Sequence, residues 1–413
     1  MKILMTADPI GGVWTYAVDL CGALQQLGCH IVLATLGAPL TSAQRADVGR
    51  LAHVDLREST FLLEWMKAPW ESLGEAAGWL LDLETETRPD VIHLNHLVHA
   101  DLPWQAPVIV VGHSCVLSWW AAVRKGPAPE ILSTYASRVR SSLCAADLVL
   151  APTHAMMSAL DALYGPLRHQ RVIPNGRNAS CLRAREKKEE LIFCAGRLWD
   201  EAKNAQLLAR IAPQLPWPTY VAGSTTSPDG HALELPGVRT LGSLTYDHLA
   251  QWYGRAAIYA LPARYEPFGL TVLEAAMSGC ALVLGDVSSL REVWGSNALY
   301  VQPDDPDECL SVLNELIRDP TRRARYATLA RLHSMRYSPE AMAARYLSAY
   351  SFVTATATTV SSTSAHGSPL PQGENRWTQN ARVSTSAHDR TLLRNPETPG
   401  VHWSPPEATV PLK

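Results

Sequence analysis

Short apolar runs recur along the first part of the chain, separated by helical stretches: Ile3-Leu4-Met5-Thr6, Ile31-Val32-Leu33-Ala34, Val91-Ile92-His93-Leu94, Val108-Ile109-Val110-Val111, Leu148-Val149-Leu150 and Arg171-Val172-Ile173. Runs of this length between helices mark the strands of a parallel sheet covered on both faces. The rhythm breaks at the charged stretch 183–190. It restarts with Leu191-Ile192-Phe193-Cys194-Ala195, Tyr220-Val221-Ala222, Ile258-Tyr259-Ala260, Leu282-Val283-Leu284 and Leu299-Tyr300-Val301. This predicts an α/β fold of two Rossmann-like domains, residues 1–178 and 179–337. Ligands of such sheets bind beyond the carboxyl ends of the strands, so two domains facing across a cleft would enclose one substrate on each side. A helix over 338–354 follows. From about Ala355 the chain becomes rich in Ser, Thr, Pro and Asn, loses apolar periodicity and repeats Ser-Thr-Ser-Ala-His, so 355–413 reads as a disordered tail.

Composition narrows the function classes. With 413 residues, 47% hydrophobic and 18% charged, the chain can bury substantial cores. A net charge of −3 without an extended basic stretch argues against nucleic acid as the main partner; the short run at 183–188 reads as a solvated linker. Eight scattered cysteines form no Cys-x-x-Cys pair and have no His at zinc spacing, which fits a reducing compartment. Met1-Lys2 leads directly into a strand with no signal-peptide pattern, so a cytoplasmic protein is expected. The apolar stretch 106–123 contains His113 and Ser114 where a strand should end, and reads as a buried strand and loop rather than a membrane span. Peripheral membrane contact stays open.

Candidate chemistry concentrates in Ala263-Arg-Tyr-Glu-Pro-Phe-Gly-Leu-Thr-Val-Leu-Glu-Ala-Ala-Met-Ser-Gly-Cys280. Glu266 and Glu274 flank a loop that opens a helix near Leu270, and the free N–H groups of that helix present partial positive charge to an anion. Gly269 lets backbone approach a ligand closely. The helix should stop at Gly279, with Leu270, Leu273 and Met277 facing inward. A glutamate in the first turns of a helix is also what its dipole favours, so Glu274 alone would decide little.

The whole segment resembles the nucleotide-sugar loop of retaining GT-B glycosyltransferases, family 4, in which two glutamates eight positions apart flank a Pro-Phe-Gly-Leu turn. The resemblance covers roughly residues 1–350. It implies that Glu266 lies against the donor sugar, that the backbone of Phe268, Gly269 and Leu270 lies near sugar and phosphate, and that Glu274 holds the ribose hydroxyls. It also implies that the helix after 338 crosses back onto the first domain.

Other residues join this reading. Arg197 and Lys203 follow the strand that opens the second domain, in Gly196-Arg-Leu-Trp-Asp-Glu-Ala-Lys-Asn204, and should stand exposed at the ligand edge. A guanidinium fork and an ammonium can together neutralise a pyrophosphate and stabilise a departing nucleoside diphosphate, a use the family resemblance supports. Gly11 and Gly12 follow the first strand in Asp8-Pro-Ile-Gly-Gly-Val13 and open a helix ending at Gly28; in the family such a loop contacts donor phosphate or acceptor. The spacing is not Gly-x-Gly-x-x-Gly, which lowers the case for a dehydrogenase. His113 ends the run after Pro107 at the mouth of the cleft, where the resemblance puts a histidine beside the donor sugar; a purely structural histidine is the competing reading. His93, His96 and His99 suit a loop near the acceptor better than metal ligation, with a structural role the stronger reading. Asn175-Gly176 resembles an interdomain turn. Asp305-Pro306-Asp307 looks like a metal-binding Asp-x-Asp, but Asp305 can cap a helix begun by Pro306, with Glu308 closing a capping box.

The expected function is therefore metal-independent transfer, with retention, of a sugar from a UDP-, GDP- or ADP-sugar to a carbohydrate or lipid-linked acceptor, without a cofactor. A sugar-nucleotide epimerase of the same fold and a catalytically silent nucleotide-sugar-binding scaffold are the alternatives. A phosphorylase would need a lysine for pyridoxal phosphate, which nothing singles out.

Overall fold

A computed structural model describes residues 1–227 and 230–364, with side chains to residue 356. The first sheet has seven strands: β1 (Lys2–Ala7), β2 (His30–Thr35), β3 (Val54–Glu58), β4 (Val91–Leu94), β5 (Val108–Val111), β6 (Leu148–Ala151) and β7 (Gln170–Val172), in the order β3-β2-β1-β4-β5-β6-β7. The second has six: β8 (Glu189–Ala195), β9 (Thr219–Ala222), β10 (Arg239–Thr240), β11 (Ala256–Leu261), β12 (Ala281–Gly285) and β13 (Leu299–Val301), in the order β10-β9-β8-β11-β12-β13. Their ladders are parallel; Ile3, for example, pairs with Ile31 on one side and Val91 on the other. Central strands such as β5 and β11 are buried along their whole length, which is why each appears in the sequence as an unbroken apolar run; β4 is equally buried, with His93 as its one polar position.

Two strands escaped the apolar pattern, β3 and β10. Both lie at sheet edges and carry exposed polar positions, Val-Asp-Leu-Arg-Glu in one and Arg-Thr in the other. An edge strand has one neighbour and weaker demand for apolar side chains.

Separate apolar clusters fill the two faces of the first sheet, and another fills the second domain. The helix Pro339–Ser364 joins the first domain's core, burying Met342, Tyr346, Ala349, Tyr350 and Val353 against β1 and the helix Gly12–Gln26. Those positions recur at helical spacing, so one apolar stripe drives the docking. The helix runs past the expected end at 354 to Ser364; the remainder of the expected tail, 365–413, lies outside the described residues. The chain leaves and re-enters the first domain at one place. A Cβ on Gly176 would lie 2.3 Å from the carbonyl oxygen of Ser338, so glycine is needed for the two crossing segments to touch. Among the described residues no helix is long and apolar enough to cross a membrane.

Candidate active site

Strand order turns around twice, between β1 and β4 in the first sheet and between β8 and β11 in the second. At such switch points successive loops diverge and open a crevice. The loops after β1, β8 and β11 leave from these two points, and the loop after β5 lies beside the first. Together they supply every residue anticipated for the site. Gly11 and Gly12 come from β1, His113 from β5, Arg197 and Lys203 from β8, and Glu266, Phe268, Gly269, Leu270 and Glu274 from β11, all lining one cavity of about 410 Å³.

Of the first-domain glycines, Gly11 meets the second domain's arginine and Gly12 meets Leu270. Gly11 has φ 84°, and a Cβ there would lie 3.1 Å from Arg197 Nη1. On the opposite wall Gly269 begins the helix Leu270–Met277 with no side-chain cap on its N–H groups. Gly279 closes the helix region with φ 77°, and Lys188 donates to the carbonyls of Ser278 and Tyr253, at 2.6 and 3.0 Å. Lys188 thus belongs to the end of this helix, whereas the sequence suggested only solvated linker for the whole run.

The charged side chains are paired and more enclosed than anticipated. Arg197 and Lys203 keep only 22% and 14% of their side-chain surface, which corrects the expectation that both stand exposed. Lys203 Nζ lies 2.6 Å from Glu266 Oε2, so the residues expected at phosphate and at sugar touch each other. Arg197 Nη2 reaches Asp200 at 3.3 Å, while its buried Nε has no partner among the described residues. Asp200 is itself held by Trp119 Nε1 across the cleft, at 3.0 Å.

Glu274 is 4% exposed and accepts from Arg177 Nε at 2.6 Å; Arg177 Nη1 donates to Asp19 Oδ2, also at 2.6 Å. Burial alone would lower the guanidinium's pKa, but Glu274 first and then Asp19 raise it far above its ordinary value. Arg177 also lies over the ring of Tyr246, 4.4 Å from its centroid. Sequence reasoning missed Arg177, Asp19 and Tyr246. Arg177 directly follows the Asn175-Gly176 turn, and Asp19 lies beside the buried face of its helix, but neither position alone reveals that they meet.

His113 is half-buried, with Nε2 2.8 Å from Asn95 Oδ1 and its ring edge-on to Tyr16 at 4.4 Å. His93, His96 and His99 are at most 5% exposed, which agrees with the structural role that was the stronger reading. Their polar atoms are used internally: His93 with Tyr350 and Asn95, His96 with Thr6 and His99, and His99 with the Leu73 carbonyl. Burial lowers the His93 pKa to about 3.

Asp305 caps the helix Pro306–Arg318, accepting from the N–H groups of Asp307 and Glu308 at 3.0 and 2.9 Å. The expected reciprocal half of the box is not made. Glu308 Oε2 accepts instead from Gln302 N, while Asp305 N is taken by the Gln302 carbonyl. Among the described residues, no group of three or more His, Cys, Asp or Glu side chains is arranged to hold a metal ion. What the cavity offers an anion is Arg197, Lys203 and the helix N–H groups.

Comparison with known proteins agrees with this architecture. Residues 10–180 match the model for Glycosyltransferase Family 4, and 189–319 match that for Glycosyl transferases group 1. A D-inositol 3-phosphate glycosyltransferase of Xylanimonas cellulosilytica is 26% identical over 401 residues, 83% of this chain and 92% of the relative. A glycogen synthase of Mycobacterium tuberculosis is 28% identical over 377 residues, 80% and 89% of the two chains. Among solved structures, a sucrose-phosphate synthase from Thermosynechococcus elongatus superposes with a TM-score of 0.70 at 19% identity, covering 86% of this chain and all of that one. Anabaena HepE in complex with UDP and glucose does so with 0.67 at 19% identity, covering 85% and 99%.

Proposed function

We propose, since the chain belongs to the group 1, family 4 glycosyltransferases, that it moves a sugar from a nucleotide sugar to an acceptor hydroxyl with retention of anomeric configuration. The observation that carries this reading is the convergence of loops from both switch points on one cavity lined by three cations, Arg177, Arg197 and Lys203, an uncapped helix N-terminus and two glutamates. The HepE structures hold UDP, with glucose or as UDP-glucose, which supports a UDP-sugar as the first donor to try.

In this reading residues 1–178 serve mainly the acceptor, 179–337 mainly the donor, and 338–354 return toward the first domain. Arg197, Lys203, Gly11, Gly12 and the N–H groups beginning at Leu270 take the diphosphate. As the sugar–phosphate bond breaks, negative charge grows on the leaving phosphate, and fixed positive groups in an enclosed site stabilise that charge more than water would. A diphosphate competes with Glu266 for Lys203, and so frees the Glu266 carboxylate to accept from sugar hydroxyls. Glu274, oriented by Arg177, accepts from the ribose. His113 stands beside the donor sugar. Retention is ascribed to attack on the same face from which the diphosphate leaves, with that phosphate receiving the acceptor's proton. The C–O bond to phosphate breaks as the new glycosidic bond forms, and the proton ends on the nucleoside diphosphate.

The relatives' names support inositol phosphate and glucan as acceptors to assay first. The test is incubation with UDP-, GDP- and ADP-sugars plus acceptor, reading released nucleoside diphosphate and the anomeric configuration of the product. An inverted product, or no release with any donor, would overturn the reading. Because the cations supply the charge a metal would, EDTA is expected to leave turnover intact; loss restored by Mg²⁺ or Mn²⁺ would refute metal independence.

A further inference from the structure

Behind His113 lies a set of buried hydrogen bonds whose directions can be worked out from two backbone carbonyls. Asn95 is 2% exposed. Its Nδ2 is 2.7 Å from the Thr6 carbonyl oxygen, which can only accept, so the amide orientation is determined and Oδ1 must face the other way. That single oxygen then lies 2.8 Å from His113 Nε2 and 3.1 Å from His93 Nε2. An amide oxygen only accepts, so both imidazole nitrogens must carry protons. With Nε2–H donating to Asn95, the neutral His93 ring has Nδ1 as acceptor, and Tyr350 OH stands 2.7 Å from it as donor.

The second carbonyl gives a consistent result. His99 Nε2 donates to the Leu73 carbonyl at 2.9 Å, leaving Nδ1 to accept from His96 Nε2, also at 2.9 Å. His96 Nδ1 can then accept from Thr6 Oγ1 at 3.0 Å, while that hydroxyl oxygen accepts from Asn95 N–H at 2.9 Å. No donor faces a donor anywhere along the path. Tyr346 stacks on His93 with centroids 5.3 Å apart, and Tyr16 meets His113 edge-on, so ring planes are held as well as protons.

We propose that Asn95 is a positioning residue for the transfer reaction, holding the His113 ring in one orientation with its proton on Nε2. This rests on the reading that His113 stands beside the donor sugar. The consequence is chemical as well as geometric: a neutral ring protonated at Nε2 bears its lone pair on Nδ1, and the opposite tautomer reverses which edge donates and which accepts. The helix Pro339–Ser364 takes part through Tyr350, which holds His93 against the same amide oxygen.

Nitrogen-15 NMR of the histidine rings tests the claim without any donor. Wild-type His113 is expected as the Nε2–H tautomer, and finding it as Nδ1–H would overturn the proposal outright. In Asn95→Leu, which keeps size but removes the acceptor, the His113 signals should move toward a tautomer mixture. With a working donor the same variant should lose about tenfold in kcat, the rate equivalent of one net hydrogen bond, with KM for the donor changed less than about twofold. Retained Nε2–H in Asn95→Leu, or unchanged kcat, would also overturn it. Asn95→Asp provides a second variant should Asn95→Leu not fold: protonated, its carboxyl reproduces the donor to Thr6 and the acceptor to His113. Turnover should be retained at low pH and fall as that proton is lost, whereas wild type should not share this fall; a profile parallel to wild type refutes the proposal. If no donor supports turnover in wild type, the functional reading fails while the tautomer result still decides the role of Asn95.

Discussion

Each glutamate of the site is tied to a different cation, Glu266 to Lys203 and Glu274 to Arg177, and this separates what their loss should do. Glu274→Gln removes a charged acceptor from the proposed ribose end, so calorimetry should show affinity for the free nucleoside diphosphate falling about tenfold. Glu266→Gln should leave that affinity within about threefold while kcat falls about tenfold or more, the mark of an interaction used mainly in the transition state. Equal losses of diphosphate affinity in the two variants would refute the assignment. Lys203→Ala is expected to reduce turnover through a lost charge-assisted contact of roughly 1.5–3 kcal/mol. It should also lower stability, because Glu266 keeps only 11% of its side-chain surface and would be left without its ammonium. Adding Glu266→Gln to Lys203→Ala should recover part of the stability in urea denaturation and none of the turnover. Recovery of both would mean that Lys203 serves the fold alone.

At the level of elements, β4 shows how an active-site neighbour can govern acid stability. His93 on this strand has its pKa lowered to about 3 by burial, against an ordinary value of 6.5. The unfolded chain therefore takes up a proton that the folded chain refuses, and stability present above pH 6.5 is lost progressively as pH falls toward 3. At pH 5 this one residue should cost about 2 kcal/mol relative to neutral pH. Urea denaturation from pH 7 to 4 should show a shallower fall for His93→Gln than for wild type; parallel curves would contradict the assignment. The helix Pro306–Arg318 offers a contrast. Asp305→Ala should cost about 1 kcal/mol by removing its cap, with turnover unchanged, since Asp305 does not line the cavity.

On the scale of the whole molecule, polar contacts bind the two domains around the cavity. Arg124 pairs with Glu201 through two hydrogen bonds of 2.7 Å, and Thr153 Oγ1 donates to the Pro267 carbonyl. Glu292 from the second domain accepts from the N–H groups of His154 and Ala155, at the start of the first-domain helix His154–Tyr164. There its negative charge complements both the helix dipole and the unsatisfied donors. A further enclosed tie is Arg177, with 8% of its side-chain surface exposed, joining Asp19 of one domain to Glu274 of the other. Removing it leaves two buried carboxylates facing each other. Arg177→Leu should therefore cost about 3–5 kcal/mol in urea denaturation, and small-angle scattering should show a more open molecule. A loss below about 1 kcal/mol with unchanged scattering would refute the role of Arg177 as an interdomain tie.

Periodicity alone was enough to place the central strands, because a parallel strand covered on both faces is apolar along nearly all its length. It missed β3 and β10, whose edge positions relax that demand. The segment from Glu266 to Glu274 was legible for a related reason: loop, helix start and both carboxylates are contiguous, so local geometry nearly suffices. The partners of those carboxylates were not legible. Lys203 is 63 positions from Glu266, Arg177 is 97 from Glu274, and Tyr350 is 257 from His93. Residue type and spacing could nominate such groups, but burial and pairing depend on which strand ends the sheet order brings together. The chain's local patterns determined the elements and the loops from which the site is built; only the folded molecule decided that its cations are already paired and that Asn95 stands behind His113.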